Sequence, residues 1–221
     1  MAELNALHWG PASKGTPEQL VVLCHGLGAD GRDLIDLAPC WSHALPDALF
    51  VSVDAPFRHE SGFGLQWWSV ADRSPPVMEA GVRRAAGFLH AFLDAELARC
   101  RLAADAYALM GFSQGAMTAL FTGLRHPTPP RAILAFSGAL IAPASLQTEM
   151  TARPPVLLVH GESDDVVPAD RSREAESALR AANVPVEAVF VPHLGHGIDD
   201  TGISAGASFL QRSFFGGMTT R

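Results

Sequence analysis

The stretch "ALMGFSQGAMTAL", residues 108–120, places one serine between two glycines where a strand pattern gives way to a helix pattern. The residues up to position 112, "AYALMGF", are almost continuously apolar, which is typical of a strand covered on both faces. From Gln114 onward the apolar residues recur at helical spacing. Ser113 is therefore predicted to occupy a sharp strand-to-helix turn, where Gly111 and Gly115 remove side chains that would collide.

The rest of the chain repeats this order of strand and helix. Further strand-like runs are "QLVVLCHG" (19–26), "ALFVSVDAP" (48–56), "RAILAFSG" (131–138), "PVLLVHGES" (155–163) and "VEAVFVPH" (186–193). The clearest amphipathic helix pattern covers residues 78–100. Strands and helices in alternation predict an α/β fold, a doubly wound and mostly parallel sheet with helices on both faces.

Composition limits the classes of protein to be considered. With 221 residues, 48% apolar and 18% charged, the chain is predicted to form a single domain over residues 1–221 with a packed core. The formal net charge of -7, without any Lys/Arg cluster, argues against nucleic acid as a partner. No run approaches the length of a transmembrane helix and no export signal opens the sequence, which predicts a cytoplasmic protein without a transmembrane segment.

The cysteines predict neither a disulfide framework nor a metal site. Cys24, Cys40 and Cys100 are an odd number without a C-x-x-C pair. The H-E-x-x-H pattern and Cys/His ligand spacings are missing as well, so we expect no metal and no organic cofactor.

Two further loops offer the partners that a serine nucleophile needs. A hydroxyl is a poor nucleophile near neutral pH, so it requires a basic histidine that is itself oriented by a carboxylate. The segments "HGESDDVVP" (160–168) and "PHLGHGIDD" (192–200) both follow predicted strands and would end at the same edge of the sheet as the serine. The candidate acids are Asp164, Glu162 and Asp165, and the candidate bases are His196 and His193.

Asp164 and His196 are the preferred catalytic pair for Ser113. His196 lies between two glycines, in a loop that allows the ring to approach the serine, whereas His193 is closer to the end of the strand. The order Ser, Asp, His along the chain is that of the hydrolases with a nucleophile on such a turn. Position alone leaves Glu162 and Asp165 open as alternative acids.

An oxyanion hole is predicted from the first core strand and the serine turn together. The segment "CHGLGADG" (24–31) directly follows "QLVVL". We expect the backbone amides of Leu27 and Gln114 to hold the negative oxygen of a tetrahedral intermediate. A phosphate-binding turn is the alternative for this glycine-rich segment, but it would need a P-loop lysine or a G-x-G-x-x-G pattern, and neither is present.

The segment "FRHESGFGLQWWSVADRSPP", residues 57–76, is the one long stretch without clear periodicity, and loops of this length are usually functional or mobile. Its bulky residues are predicted to bind the acyl group of a substrate: Phe63, Leu65, Trp67 and Trp68. Leu27 and Leu140 would complete the pocket. The alternative for both tryptophans is that they pack this loop onto the sheet.

Together, "LCHGLGADG", "GFSQGA", "HGESDDVVP" and "GHGID" resemble the phospholipase/carboxylesterase family of α/β hydrolases, which includes bacterial carboxylesterases and acyl-protein thioesterases. The resemblance extends over residues 19–215, and "LQWWSV" (65–70) is similar to the bacterial carboxylesterase branch. It implies an α/β-hydrolase fold without a large lid domain. It also implies Ser113 as nucleophile, Asp164 as acid, His196 as base, and Leu27 and Gln114 at the oxyanion hole.

These observations predict a serine carboxylesterase that cleaves acyl esters through an acyl-enzyme. The alternatives are a thioesterase acting on acyl-protein or acyl-CoA, a lysophospholipase, and a hydrolase-fold binding protein without activity. The expected partner is a small-molecule or lipid ester, and a homodimer remains open. Dienelactone hydrolase is disfavoured, because its nucleophile is a cysteine where this chain has Ser113.

Overall fold

The computed structural model describes residues 4–216. The strands are β1 (Ala6–Trp9), β2 (Gln19–Cys24), β3 (Ala48–Val53), β4 (Phe57–Arg58), β5 (Leu65–Gln66), β6 (Tyr107–Phe112), β7 (Ala132–Phe136), β8 (Val156–Gly161) and β9 (Val186–Val191). The helices are α1 (Leu37–Trp41), α2 (Pro75–Cys100), α3 (Gln114–Gly123), α4 (Leu146–Glu149), α5 (Asp170–Ala181) and α6 (Asp200–Phe215), with a short 3₁₀ turn at Pro143–Ser145.

Seven strands form one sheet in the order β1-β3-β2-β6-β7-β8-β9. All neighbours are parallel except β1, which pairs antiparallel with β3 at the edge. The six strands predicted from apolar runs are all present, and the predicted mostly parallel sheet is confirmed. The single-domain prediction for residues 1–221 stays a prediction, and residues 1–3 and 217–221 lie outside the described residues.

Helices cover the sheet on both faces, as predicted. Along β2, Leu20 and Val22 belong to the core shared with α2, α3 and α5. The intervening Val21 and Leu23 belong to the core shared with α1 and α6. This alternation explains why the strand reads as a continuous apolar run, because both of its faces are removed from water. No helix within residues 4–216 has the length and apolar character needed to cross a membrane.

The sequence did not predict β1 or the short β4–β5 hairpin. β1 has four residues, none of which is fully buried, so it lacks the apolar run by which the other strands were found. β4 and β5 have two residues each and lie within the stretch that shows no periodicity. Helix α2 begins at Pro75, three residues before the predicted start, since proline is compatible with the first turn of a helix.

The contact between α3 and β2 is unusually close at Gly115. A Cβ atom on Gly115 would collide with the carbonyl group of Cys24, the last residue of β2. A Cβ atom on Gly111 would in turn collide with the carbonyl group of Gly115. Both obstacles are backbone atoms of buried elements, which cannot rotate away as a flexible side chain can.

Replacing Gly115 with alanine is therefore expected to lower the free energy of unfolding by about 1–3 kcal/mol, the usual range for overpacking. Gly87 on α2 is the matched control, because a Cβ atom built there meets nothing within 4 Å. Gly87→Ala should raise the free energy of unfolding by about 0.5–1 kcal/mol, since alanine is the better helix former. Urea denaturation measures both effects, and equal stabilities of the two variants would contradict the steric explanation.

Candidate active site

Ser113 lies in the predicted strand-to-helix turn between β6 and α3. Its backbone has φ 53° and ψ -118°, a conformation that residues with a side chain rarely adopt. The turn is held by hydrogen bonds from the Ser113 N–H to the Phe136 carbonyl (2.9 Å) and from the Met117 N–H to the Ser113 carbonyl (3.2 Å). The side chain lies above the carboxyl edge of the sheet, on the wall of a cavity.

Asp164 and His196 form a partly buried hydrogen-bonded pair. The Nδ1 atom of His196 lies 2.7 Å from Oδ2 of Asp164. A carboxylate can only accept, so Nδ1 carries the proton and Nε2 is left as the acceptor. The His196 ring packs against the ring of Phe112, with 4.8 Å between the centroids. His196 lines the same cavity as Ser113, so the three predicted residues come together.

The structure distinguishes Asp164 from the alternative acids. Its side chain is fully buried, and Oδ1 accepts hydrogen bonds from the amides of Val166 (2.9 Å) and Val167 (2.8 Å). Glu162 instead pairs with Arg173 on the surface, at 2.9 Å, and Asp165 is exposed. Among the candidate bases, His193 is exposed and His196 is the partner of the carboxylate.

The hydrogen bonds around Asp164 keep its carboxylate ionised. Burial by itself would raise the pKa of Asp164. The hydrogen bond with His196 and those from the amides of Val167 and Val166 outweigh this effect, so the pKa lies below its ordinary value. A permanent negative charge behind the imidazole would stabilise a protonated ring during a reaction.

A second histidine, His160, supports the loop that carries Asp164. Its Nε2–H donates to the carbonyl of Val167 at 2.8 Å and lies 3.2 Å from Oδ2 of Asp164. Its Nδ1 atom pairs with the hydroxyl of Ser172 on α5, at 2.6 Å. His160 therefore connects the loop 164–167 to α5.

Leu27 and Gln114 line the cavity together with Ser113, as expected for the two sides of an oxyanion hole. Gln114 is the first residue of α3, so its N–H is free of the helix's own hydrogen bonds. Within residues 4–216, neither this N–H nor that of Leu27 donates to a backbone acceptor. Two unpaired amides beside a serine hydroxyl are what stabilisation of an oxyanion requires.

The side chain of Gln114 connects the tryptophan segment, Trp67 and Trp68, to the serine turn. Its Oε1 accepts from the N–H of Trp67 (2.9 Å), and its Nε2 donates to the carbonyl of Trp68 (2.8 Å). Trp67 in turn donates from Nε1 to the carbonyl of His25 (2.9 Å). Nε2 of His25 accepts from the N–H of Ala55, so the proton is on Nδ1, which donates to the carbonyl of Gly26 (2.7 Å). Burial lowers the pKa of His25, which favours this neutral form.

The β4–β5 hairpin supports the loop 26–29 from the other side. Gly28 N–H donates to the Leu65 carbonyl (2.7 Å), and Leu65 N–H donates to the Ala29 carbonyl (2.8 Å). A Cβ atom on Gly64 would collide with the carbonyl of Gly28, and Gly64 has φ 68°. Part of the segment without periodicity is thus an ordered support for the predicted oxyanion hole.

The cavity has a volume of about 300 Å³ and a largely apolar wall. Of the four residues predicted to bind the acyl group, Trp68 lines this cavity. Trp67 is fully buried beneath it, Leu65 packs against the core, and Phe63 is 83% exposed. These three side chains do not line the cavity, because Trp67 and Leu65 pack into the core and Phe63 projects into solvent. Leu140 borders a different cavity, beside α5.

Several wall residues were missed by sequence reasoning. They are Val70, Arg73, Met78, Met117, Val166 and Val167. The two methionines belong to helical apolar patterns, from which a cavity wall cannot be told apart from ordinary core. Within residues 4–216 there is no group of three or more His, Cys, Asp or Glu side chains that could hold a metal ion.

The stability that Asp164 confers should depend on pH. Its pKa is lower in the folded protein than the value of about 3.9 expected for an unfolded chain, so its contribution is complete above that value and is lost as pH falls through the folded pKa. The difference in free energy of unfolding between the wild type and Asp164→Asn should therefore shrink on acidification below about pH 4.

Denaturant titrations at a series of pH values measure this difference. In a His196→Ala background the same Asn substitution should show a weaker dependence on pH, because the hydrogen bond with the imidazole is gone. A difference that grows as pH falls would contradict the assignment.

Known proteins resemble this chain in sequence over most of its length. The sequence profile of the phospholipase/carboxylesterase family matches residues 11–214. Esterase YpfH of Escherichia coli (strain K12) is 30% identical over 186 residues, covering 83% of this chain and 78% of that protein. Acyl-protein thioesterase 1 of Schizosaccharomyces pombe is 31% identical over 180 residues, covering 76% of this chain and 77% of that protein.

A solved esterase structure shares the fold of this chain. The crystal structure of esterase PE8 superimposes with a TM-score of 0.90 at 39% identity, covering 96% of this chain and 99% of that one. The predicted α/β-hydrolase fold and the predicted family are therefore confirmed, and no large lid is present within residues 4–216. The chain belongs to the phospholipase/carboxylesterase family and is a serine hydrolase of the esterase and thioesterase type.

Proposed function

We propose that this hydrolase cleaves carboxylic esters through an acyl-enzyme formed on Ser113. The observation that carries the proposal is the shared cavity wall of Ser113 and His196, with the buried Asp164 carboxylate 2.7 Å behind the imidazole. A serine in such a turn, a neutral imidazole and an ionised carboxylate are the three groups that acyl transfer requires.

In the first step, Nε2 of His196 takes the proton of the Ser113 hydroxyl while the oxygen attacks the ester carbonyl. The carbonyl oxygen becomes negative, and the amides of Leu27 and Gln114 donate to it. Each such donor lowers the barrier by about 3 kcal/mol. The low pKa of Asp164 supports this step, because the carboxylate stays charged and stabilises the imidazolium.

In the second half, the imidazolium of His196 gives its proton to the departing alcohol, and the acyl group remains on Ser113. Water then enters, His196 removes its proton, and the hydroxide attacks the acyl carbonyl. The proton finally returns to the serine oxygen as the carboxylic acid leaves. The net reaction consumes one ester and one water and yields an acid and an alcohol, with no cofactor.

A thioesterase is the second candidate function. The similarity to acyl-protein thioesterase 1 of Schizosaccharomyces pombe supports it as strongly as the similarity to esterase YpfH supports an esterase. Both reactions use the same acyl-enzyme, and the leaving group alone differs.

A cytoplasmic location and a homodimer stay predictions.

Ser113→Ala should abolish covalent labelling by a fluorophosphonate and ester turnover, because the attacking oxygen is gone. The backbone strain at this position is the same for alanine and serine, so stability should change little. Ser163→Ala, at an exposed serine on the loop of the acid, is the matched control and should label normally. Labelling is read by intact-protein mass spectrometry, and a labelled Ser113→Ala protein would remove this serine from its role.

Trp68 is predicted to limit the length of the acyl chain. It lines both the cavity of about 300 Å³ and a neighbouring groove of about 460 Å³. Its position is secured by the contact of Nε1 with Sδ of Met78, at 3.4 Å, and by the close approach of the ring to Gly81. The wild type should therefore prefer short acyl chains over long ones.

Trp68→Ala should join the two spaces and move the maximum of kcat/KM to longer chains. Met117→Ala is the control, because it enlarges the same cavity from α3 without opening the groove. The measurement is a graded series of para-nitrophenyl esters, with butyryl and octanoyl thioesters alongside to separate the two candidate functions. An unchanged chain-length profile in a folded Trp68→Ala protein would show that this ring does not set the limit.

A further inference from the structure

Arg73 is the one wall residue of the Ser113 cavity that carries a permanent charge, among the residues that the structure describes. Apart from Ser113, Gln114 and His196, the remainder of the wall is apolar side chains and one glycine. The chain as a whole has a net charge of -7, yet no carboxylate from residues 4–216 lines this cavity. The local charge is therefore opposite in sign to the average of the protein.

Arg73 has no partner in the described part of the chain. Many other arginines within residues 4–216 pair with carboxylates, as Arg32 does with Asp30 (2.6 Å) and Arg131 with Asp105 (2.6 Å), whereas Arg58 and Arg101 do not. No ion pair, hydrogen bond or aromatic contact of this kind is formed by the Arg73 guanidinium within residues 4–216. Because the residue is exposed, it lies at the mouth of the cavity, where an incoming molecule meets it first.

The adjoining end of α2 adds to the positive potential. Arg73 directly precedes Ser74, the N-cap of this 26-residue helix, and no acidic residue stands in its first turn. The N-terminus of a helix carries a partial positive charge. The nearby carboxylate of Asp72 is directed to the Ser74 N–H (2.8 Å) and is not part of the cavity wall. An apolar cavity with a cationic mouth suits a ligand that is apolar at one end and anionic at the other.

We propose that Arg73 selects substrates with a free carboxylate, that is, small esters in which an anionic group lies a few atoms from the ester bond. The inference rests on the proposed ester hydrolysis at Ser113 and specifies the substrate class of that site. The guanidinium binds a carboxylate through paired N–H donors, while the apolar wall receives the carbon chain. The anionic group can belong to either part of the ester, so both parts are tested.

The experiment compares matched charged and neutral esters. For the acyl part, mono-para-nitrophenyl glutarate is compared with para-nitrophenyl pentanoate. For the alcohol part, the acetate ester of para-hydroxyphenylacetic acid is compared with para-ethylphenyl acetate. Each pair keeps a similar leaving group and a similar length, so that charge is the main difference.

Arg73→Gln should lower kcat/KM for the charged ester of at least one pair about fivefold, the upper range for a solvent-screened ion pair. The loss should fall mainly on KM, because the ion pair is present in ground state and transition state alike. The neutral esters should change less than about twofold. In the wild type, the advantage of the charged ester should also decrease as the ionic strength rises to about 0.5 M.

Arg84→Gln is the matched control. Arg84 lines the neighbouring groove beside Trp68, where its guanidinium lies over the ring of Phe57, with 4.5 Å to the centroid. This variant should treat all four esters as the wild type does.

Two outcomes would overturn the inference while leaving the proposed function intact. In the first, Arg73→Gln hydrolyses charged and neutral esters as the wild type does. In the second, it loses the same factor on both members of each pair. Failure of the wild type to hydrolyse any of the four esters would instead refute the proposed ester hydrolysis itself, and the selection of carboxylates with it.

Discussion

Helix α3 begins directly over the end of β2, so close that no side chain fits on Gly115. To reach this position from β6, the chain must turn within one residue, and Ser113 takes a backbone conformation that costs about 1–3 kcal/mol. The same turn raises the serine hydroxyl above the sheet and leaves the N–H of Gln114 unpaired beside it. The proposed nucleophile and one of the proposed oxyanion donors thus depend on a single steric constraint.

Buried and partly buried hydrogen bonds hold the remaining groups in place around that turn. Asp164 is fixed by backbone amides on one oxygen and by His196 on the other, with His160 supporting the loop from behind. On the opposite side, the Gln114 side chain and His25 connect the tryptophan segment to the loop 26–29. A buried polar group without a partner is costly, so these contacts restrict each group to one geometry. The result is a site whose donors and acceptors are oriented before any substrate arrives.

The two neighbouring tryptophans show how strongly such contacts separate similar residues. The indole N–H of Trp67 donates to the carbonyl of His25, and the side chain is fully buried. Trp67 therefore holds the site in place and does not line the cavity. Trp68 lines both the cavity and the neighbouring groove, so it belongs to the wall. Arg73 follows a few residues later at the mouth. A segment without periodicity therefore supplies support, wall and entrance in succession.

From the sequence alone, the six core strands, the helix ending at Cys100, and the candidates Ser113, Asp164 and His196 could all be identified. These features depend on local patterns: continuous apolar runs, helical spacing, and reactive residues placed directly after strands. The sequence could not separate Asp164 from Glu162 and Asp165, because three acids in one loop have the same local pattern. Their difference arises from which carboxylate points inward to His196 and which pairs with Arg173 at the surface.

The tertiary structure alone decided the edge strand β1, the role of the β4–β5 hairpin and the composition of the cavity wall. The four bulky residues of this loop are close in sequence but have different surroundings. Phe63 projects into solvent and Leu65 packs against the core, whereas Trp67 is buried under hydrogen bonds and Trp68 lines the cavity. Local spacing determines strands and turns because those depend on neighbouring residues. The surroundings of a loop side chain depend on contacts with residues far away in the chain, and no local pattern encodes them.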